Sequence, residues 1–135
     1  MSKKAAPAKI LVVDDERDCL SIIQCRLEWG KYKVITADNG AEGLRIAEDE
    51  KPDVVLLDYN MPVMNGLEML ERMRKNPALR DTPVIMVTAL CESQDIAAAS
   101  AYGVADYVTK PVDFTSLLEK ISNLLENKPA KCIKK

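Results

Sequence analysis

The chain contains no histidine, and none of its four cysteines forms a C-x-x-C pair. Neither a zinc site nor a disulfide framework is therefore predicted, and reduced thiols in a cytoplasm fit best. The formal net charge is only -2, so no overall field would draw the chain to nucleic acid. No apolar stretch approaches the length of a membrane span, and the polar start lacks the apolar core of a signal peptide. We expect a soluble, cytoplasmic protein without nucleic-acid or membrane partners.

Basic residues concentrate at the two ends of the 135-residue chain. We expect residues 1–7 and 128–135 to be solvated basic tails on either side of one domain, residues 8–127. A domain of this size buries about 68 to 70% of the surface that its unfolded chain exposes, so it should fold without disulfides or a structural metal.

Three short apolar runs, at 10–13, 54–57 and 84–87, predict strands that are buried on both faces of a parallel sheet. Two strands of mixed polarity should start near Tyr32 and Ala105. A helix follows each strand, which gives a five-fold βα repeat with right-handed crossovers. The apolar strands must be interior and the mixed ones must be edges. The predicted fold is therefore α/β, a doubly wound, flavodoxin-like parallel sheet of order 2-1-3-4-5 with five helices on its two faces.

Apolar periodicity and capping residues locate these helices. The first is expected over 16–29, with Trp29 packed at its end. The next two should begin near Gly40 and Gly66, because an asparagine cap precedes each glycine. The fourth, over 93–102, is anchored mainly by alanines and should be the most loosely held.

Carboxylates stand at the ends of two neighbouring strands. Asp14 and Asp15 follow the first strand, and Asp58 ends the third. In the order 2-1-3-4-5, the second strand lies on one side of the first strand and the third strand lies on its other side. The ends of the first and third strands therefore form the topological switch point, where such folds bind ligands, and these side chains should meet there. Converging carboxylates repel one another, and the usual solution is a hard divalent cation such as Mg²⁺.

Two further polar residues are expected beside these carboxylates. Thr88 ends the fourth strand and supplies a hydroxyl, and Lys110 follows the fifth strand and supplies an ammonium. A cation, a hydroxyl and an ammonium around one carboxylate form a set that stabilises a transferring phosphoryl group.

These residues resemble the receiver domains of two-component response regulators, in particular the stand-alone, chemotaxis-regulator-like type. The resemblance spans roughly residues 8 to 126. It rests on the Asp14-Asp15 pair, Asp58, the run Asp58-x-x-Met61-Pro62-x-x-Asn65-Gly66, Thr88-Ala89, and Lys110-Pro111 with Tyr107 three residues before the lysine. Together these motifs are highly specific.

The resemblance implies a signalling switch of a phosphorelay rather than an enzyme, with at most slow Mg-dependent self-phosphorylation from small phosphodonors and self-dephosphorylation. Asp58 would take a phosphoryl group from a phosphohistidine on a sensor histidine kinase or a histidine phosphotransfer protein. Asp15, Asp58 and the backbone carbonyl of Asn60 would ligate Mg²⁺ directly, and Asp14 would assist through water. Mn²⁺ would also fit this site.

The resemblance also implies how the signal leaves the site. Thr88 and Lys110 would bind the phosphoryl oxygens, and Tyr107 would change rotamer on activation. The predicted fourth helix, the fifth strand and the last helix would shift and bind a downstream target protein. We call these three elements the output face.

Other functions share part of this pattern. A phosphohydrolase of the haloacid-dehalogenase type would need a second carboxylate two residues after its nucleophile, where Asn60 stands. A flavin-binding domain would need a hydroxyl- and glycine-rich phosphate loop after the first strand, where Asp14, Asp15 and Glu16 stand. The main alternative is a receiver module excised from a longer multidomain regulator or hybrid kinase, in which residues 128–135 would be a linker. An intact gene ending at Lys135 would exclude it.

Overall fold

A parallel sheet of five strands carries helices on both faces. The computed structural model describes residues 8–59, 64, 66–88, 101–109 and 112–133, without the side chains of 88 and 127–133. The strands are β1 (Lys9–Val13), β2 (Lys33–Ala37), β3 (Val54–Asp58), β4 (Val84–Thr88) and β5 (Asp106–Thr109). The helices of the described residues are α1 (Arg17–Trp29), α2 (Gly40–Glu50), α3 (Gly66–Lys75) and α4 (Phe114–Ile133). The sheet order is β2-β1-β3-β4-β5, with every pair parallel, which confirms the predicted fold.

The apolar runs of β1, β3 and β4 are continuous because these strands are buried on both faces. Successive side chains of a strand point to opposite faces. Val55 and Leu57 of β3 pack in one hydrophobic cluster with α2 and α3, whereas Val54 and Leu56 pack in a second cluster with α1 and α4. The mixed strands β2 and β5 lie at the two edges, as predicted.

The helix α1 buries the predicted stripe of Leu20, Ile23 and Leu27. Trp29 does not pack as predicted, because its side chain is 84% exposed. The reason is helical geometry. With 3.6 residues per turn, a step of two residues rotates the side chain by about 200°, so Trp29 faces away from the core that Leu27 enters.

The helices α2 and α3 begin at the predicted glycines, Gly40 and Gly66. Asn39 caps α2, because its side-chain oxygen accepts a hydrogen bond of 2.8 Å from the backbone N–H of Glu42. The second predicted cap, Asn65, lies outside the described residues.

The last helix, α4, is the predicted fifth helix and extends further than expected. It continues through Ile133, into the segment 128–135 that we expected to be a tail. Lys128, Ala130 and Lys131 are good helix formers, whereas Pro129 disfavours a helix because it has no backbone N–H to donate. The predicted helix over 93–102 lies outside the described residues except at its end, where 101–103 form a turn. Within the described ranges, no helix is long and apolar enough to cross a membrane.

Candidate functional site

Three carboxylates meet at the C-terminal edge of the sheet. Asp58 is the last residue of β3 and is 4% exposed, and Asp14 follows β1 and is 1% exposed. Asp15, the next residue, is exposed. One carboxylate oxygen from each of the three residues lies within 4.8 Å of the others. The structure therefore brings Asp14, Asp15 and Asp58 together as predicted, and we call them the acidic triad.

Backbone hydrogen bonds hold the strand ends that carry the triad. The N–H of Asp14 donates to the Ala37 carbonyl on β2 at 3.1 Å, and Asp14 Oδ1 accepts a bond of 2.9 Å from the N–H of Glu16. The N–H of Tyr59, next to the buried aspartate of β3, donates to the Val87 carbonyl on β4 at 3.1 Å. Both buried carboxylates thus project from backbone that is tied to a neighbouring strand.

Gly66 has a role at the site that sequence reasoning missed. Its N–H donates to the Tyr59 carbonyl at 2.9 Å. A Cβ at this position would lie 2.9 Å from Tyr59 Cα and closer still to the carbonyl oxygen of Asp58. Only a residue without a side chain allows α3 to begin this close to Asp58. The sequence signal is the glycine that closes the motif run and marks the predicted helix start.

Strand register gives the position of the Thr88 backbone relative to Asp58. Asp58 pairs with Val87 in the β3–β4 ladder, so Thr88 ends β4 one residue beyond. Thr88 pairs with Thr109 in the β4–β5 ladder, and Lys110 is the residue that follows. The side chain of Thr88 and all of Lys110 lie outside the described residues, so their roles remain predictions.

Tyr107, the predicted switch residue, is partly buried. It pairs with Met86 of β4 and packs against the hydrophobic cluster that α2 and α3 cover. It therefore lies on the α3 side of the sheet, next to the last residues of β5. Asn60, the predicted carbonyl ligand, lies outside the described residues.

The acidic triad fits a hard divalent cation. Two of its carboxylates are buried, so their mutual repulsion is weakly screened, and a cation among them would offset it. Mg²⁺ prefers one or two carboxylates and keeps several bound waters. Because Asp15 is exposed, this side of the triad is open to such waters. A second cluster of Asp14, Glu16 and Cys19 includes a thiol, a ligand type that suits softer metals. The all-oxygen triad is therefore the better match for Mg²⁺.

An apolar groove of about 580 Å³ lies beside this edge, between α1 and the residues that precede and begin α4. Ile22 on one side and Val112 and Phe114 on the other line it. The guanidinium of Arg26 lies 5.2 Å from the centre of the Phe114 ring, a cation–π distance that ties α1 to the start of α4. Sequence reasoning did not predict this groove, because it depends on how two distant segments pack.

Comparisons with known proteins agree with this arrangement. Residues 10–122 match the family described as the response regulator receiver domain. The chain is 38% identical over 118 residues to protein PilH from Pseudomonas aeruginosa, a match that covers 87% of this chain and 98% of that protein. It is 40% identical over 121 residues to the transcriptional regulatory protein GlrR from Escherichia coli, which covers 89% of this chain but only 27% of that longer protein.

Solved structures show the same fold. A response regulator receiver domain protein (CheY-like) from Methanospirillum hungatei matches with a TM-score of 0.88 and 32% identity, covering 93% of this chain and 99% of that chain. The sheet order, the acidic triad and the family match over 10–122 point to one conclusion. The chain belongs to the receiver domain family of two-component response regulators.

Proposed function

We propose that the chain is a phosphorylation switch whose phosphoacceptor is Asp58. The donor would be a phosphohistidine on a sensor histidine kinase or a histidine phosphotransfer protein. The observation that carries this proposal is the buried Asp58 carboxylate, whose oxygen lies within 4.8 Å of oxygens of Asp14 and Asp15 at the edge of the sheet. A carboxylate held there supports a nucleophilic role toward phosphorus, since carboxylates form such covalent intermediates.

In the proposed transfer, one Asp58 oxygen bonds to phosphorus while the bond between phosphorus and the imidazole nitrogen breaks. The electron pair of the broken bond stays on the imidazole, which takes up a proton from solvent. Mg²⁺, when bound by the acidic triad and the Asn60 carbonyl, would neutralise charge on the phosphoryl oxygens. Thr88 and Lys110 would donate hydrogen bonds to those oxygens.

The proposed output is binding of a downstream protein to the output face, of which the structure describes β5 and α4. A phosphoryl group adds about -1.5 to -2 charges. If Thr88 and Lys110 each gain a charge-assisted hydrogen bond worth roughly 1.5 to 3 kcal/mol, the sum is about 3 to 6 kcal/mol. That sum is comparable with the roughly 5.5 kcal/mol that takes a two-state element from 1:99 to 99:1.

Two relatives bear on how such an output is organised. The match to PilH covers nearly that whole protein, which supports a receiver that acts by itself. The match to GlrR covers about a quarter of that protein, which supports the alternative of a module within a longer regulator. Both readings keep the same phosphoacceptor. A pull-down that compares the phosphorylated and unmodified chain would identify the partner.

Incubation with acetyl phosphate and Mg²⁺ tests the acceptor. We expect a mass increase of one phosphoryl group in the wild type and none in Asp58→Asn. Asp38→Asn is the matched control, because Asp38 is an exposed carboxylate just after β2, and it should be phosphorylated like the wild type. A persistent mass shift in Asp58→Asn would contradict the proposal. Asp15→Ala should lose phosphorylation while its circular dichroism spectrum stays that of the wild type.

A further inference from the structure

Arg74, near the end of α3, joins three segments at the sheet edge opposite the acidic triad. Its Nε donates to the Tyr102 carbonyl at 2.7 Å, and its Nη2 donates to the Gly103 carbonyl at 3.2 Å. Its Nη1 donates to the carbonyls of Leu79 at 3.3 Å and Thr82 at 3.0 Å. One guanidinium therefore links α3 to the loop before β4 and to the turn before β5.

The environment of Arg74 suits a positively charged side chain that holds the structure together. The side chain is partly buried, and burial lowers its pKa because desolvation disfavours the charged form, while the charge of Asp81 acts in the opposite direction. An arginine nevertheless stays protonated and presents its donors in a rigid planar fork. That fork is what lets one residue reach carbonyls on both segments.

The other end of α3 lies against the phosphoacceptor. Gly66 begins the helix, its N–H bonds the Tyr59 carbonyl at 2.9 Å, and a Cβ there would collide with the Asp58 carbonyl. The helix has 10 residues, so it is about 15 Å long. Its inner face is held by three fully buried side chains, Met69, Leu70 and Met73. A packed helix of this kind moves as a unit rather than bending.

We propose that α3 and Arg74 couple the acceptor site to β5. A displacement of backbone at Asp58 would move the start of α3, and Arg74 would pass that movement to the Tyr102–Gly103 turn that leads into the output face. This inference rests on the proposed phosphorylation of Asp58. It adds a route along the α3 side of the sheet to the one expected through Thr88 and Tyr107.

The strand β5 can take up such a movement. It is an edge strand that pairs on one side only, with β4. The first bond into this pairing runs from the Ala105 N–H to the Val84 carbonyl at 2.8 Å, two residues after the turn that Arg74 holds. Gly103 in that turn has a φ of +77°, a conformation that glycine adopts without strain. Arg74 is therefore a positioning residue for the start of β5.

Hydrogen exchange on the full chain tests this coupling, with beryllium fluoride and Mg²⁺ as a phosphoryl mimic. The test variant is Arg74→Met, which keeps the apolar stem and removes every donor. The matched control is Arg72→Met, since Arg72 is an exposed arginine on the same helix. Without the mimic, we expect amides of 102–108 to exchange at least about tenfold faster in Arg74→Met, with β1 and β3 unchanged.

With the mimic bound, wild type and Arg72→Met should change exchange at 102–108, and Arg74→Met should keep less than about half of that change. An equal change in Arg74→Met, with protection near Asp58 showing that the mimic is bound, would overturn the coupling. Absence of any protection near Asp58 in the wild type would instead contradict the proposed function. If Arg74→Met does not fold, Arg74→Lys takes its place, because one compact ammonium cannot reach both segments, and the same outcomes apply.

Discussion

Gly66 brings the start of α3 against the backbone that carries Asp58. Its N–H bonds the Tyr59 carbonyl, and no side chain fits between the helix and Asp58. The surroundings of the acidic triad therefore depend on the packing at Gly66 as well as on the charges of the carboxylates. The absence of a side chain at Gly66 sets how closely the helix approaches Asp58.

Gly66→Ala should destabilise the chain, because the added Cβ meets backbone atoms that cannot rotate away. We expect a loss of about 1 to 3 kcal/mol in the free energy of unfolding, measured with urea. Gly30→Ala is the control. A Cβ at Gly30 would make only ordinary contacts, at 3.4 Å or more, so its effect should stay within about 0.5 kcal/mol. Equal effects of the two substitutions would show that the contact at Gly66 does not matter.

Tyr32 supplies a pH-dependent contribution to stability. Burial, and to a lesser extent the charge of Glu126, raises the pKa of its phenol above the ordinary 10.0. Above pH 10.0 the unfolded chain therefore loses this proton before the folded chain does, so the contribution is present below 10.0 and is lost as pH rises through the folded value. We expect urea unfolding to show a smaller decline above pH 10.0 in Tyr32→Phe than in the wild type. Identical declines would contradict this assignment.

The helix α2 illustrates how small residues let an element pack closely. Its buried face includes two glycines, Gly40 and Gly43. A Cβ at Gly43 would lie 2.8 Å from Val13 Cγ2 and 3.1 Å from the Met69 sulfur, so the helix lies close to both β1 and α3. Glycine lowers the intrinsic helix propensity, and the cap at Asn39 helps to offset this cost.

Asn39→Ala should therefore destabilise α2, because the N–H of Glu42 loses its acceptor. We expect a loss of about 1 kcal/mol in the free energy of unfolding. Asn39→Asp keeps a side-chain oxygen at the same place and should restore most of the stability. Urea denaturation followed by circular dichroism measures both variants. A loss of the same size in Asn39→Asp would show that the cap is not the cause.

The chain as a whole separates its apolar and charged groups. Two hydrophobic clusters cover the two faces of the sheet, and the acidic triad stands at the edge where β1 and β3 end. Folding therefore brings like charges together at one edge. Binding of a cation there would stabilise the folded state, because the unfolded chain does not hold the carboxylates close to one another.

Mg²⁺ should raise the midpoint of thermal unfolding. A ligand at 100 times its dissociation constant stabilises the folded state by about 2.7 kcal/mol, so the shift should be measurable by calorimetry. Asp58→Asn should unfold at a higher temperature than the wild type without Mg²⁺, because one repelling charge is gone, and should gain less from Mg²⁺. An equal gain from Mg²⁺ in both proteins would place the metal elsewhere.

Sequence patterns were sufficient for the architecture and for the convergence of the triad. Continuous apolar runs marked the interior strands because those strands are buried on both faces, and mixed polarity marked the edges. Parallel strands end at the same edge, so Asp14, Asp15 and Asp58 had to meet once the order was known. Local rules therefore determined the strand order, the helix starts at Gly40 and Gly66, and the place of the acidic residues.

Tertiary packing decided the rest. The groove between α1 and the start of α4 forms where two segments that are distant in the chain pack together, and the guanidinium of Arg26 on α1 lies 5.2 Å from the centre of the Phe114 ring. The bonds of Arg74 to Tyr102 and Gly103 join residues 28 and 29 positions apart, and no local pattern encodes such a contact. The contact of Gly66 with Asp58 likewise depends on where α3 packs. Each of these features depends on how elements pack against one another, and that packing exists only once the two hydrophobic clusters have formed.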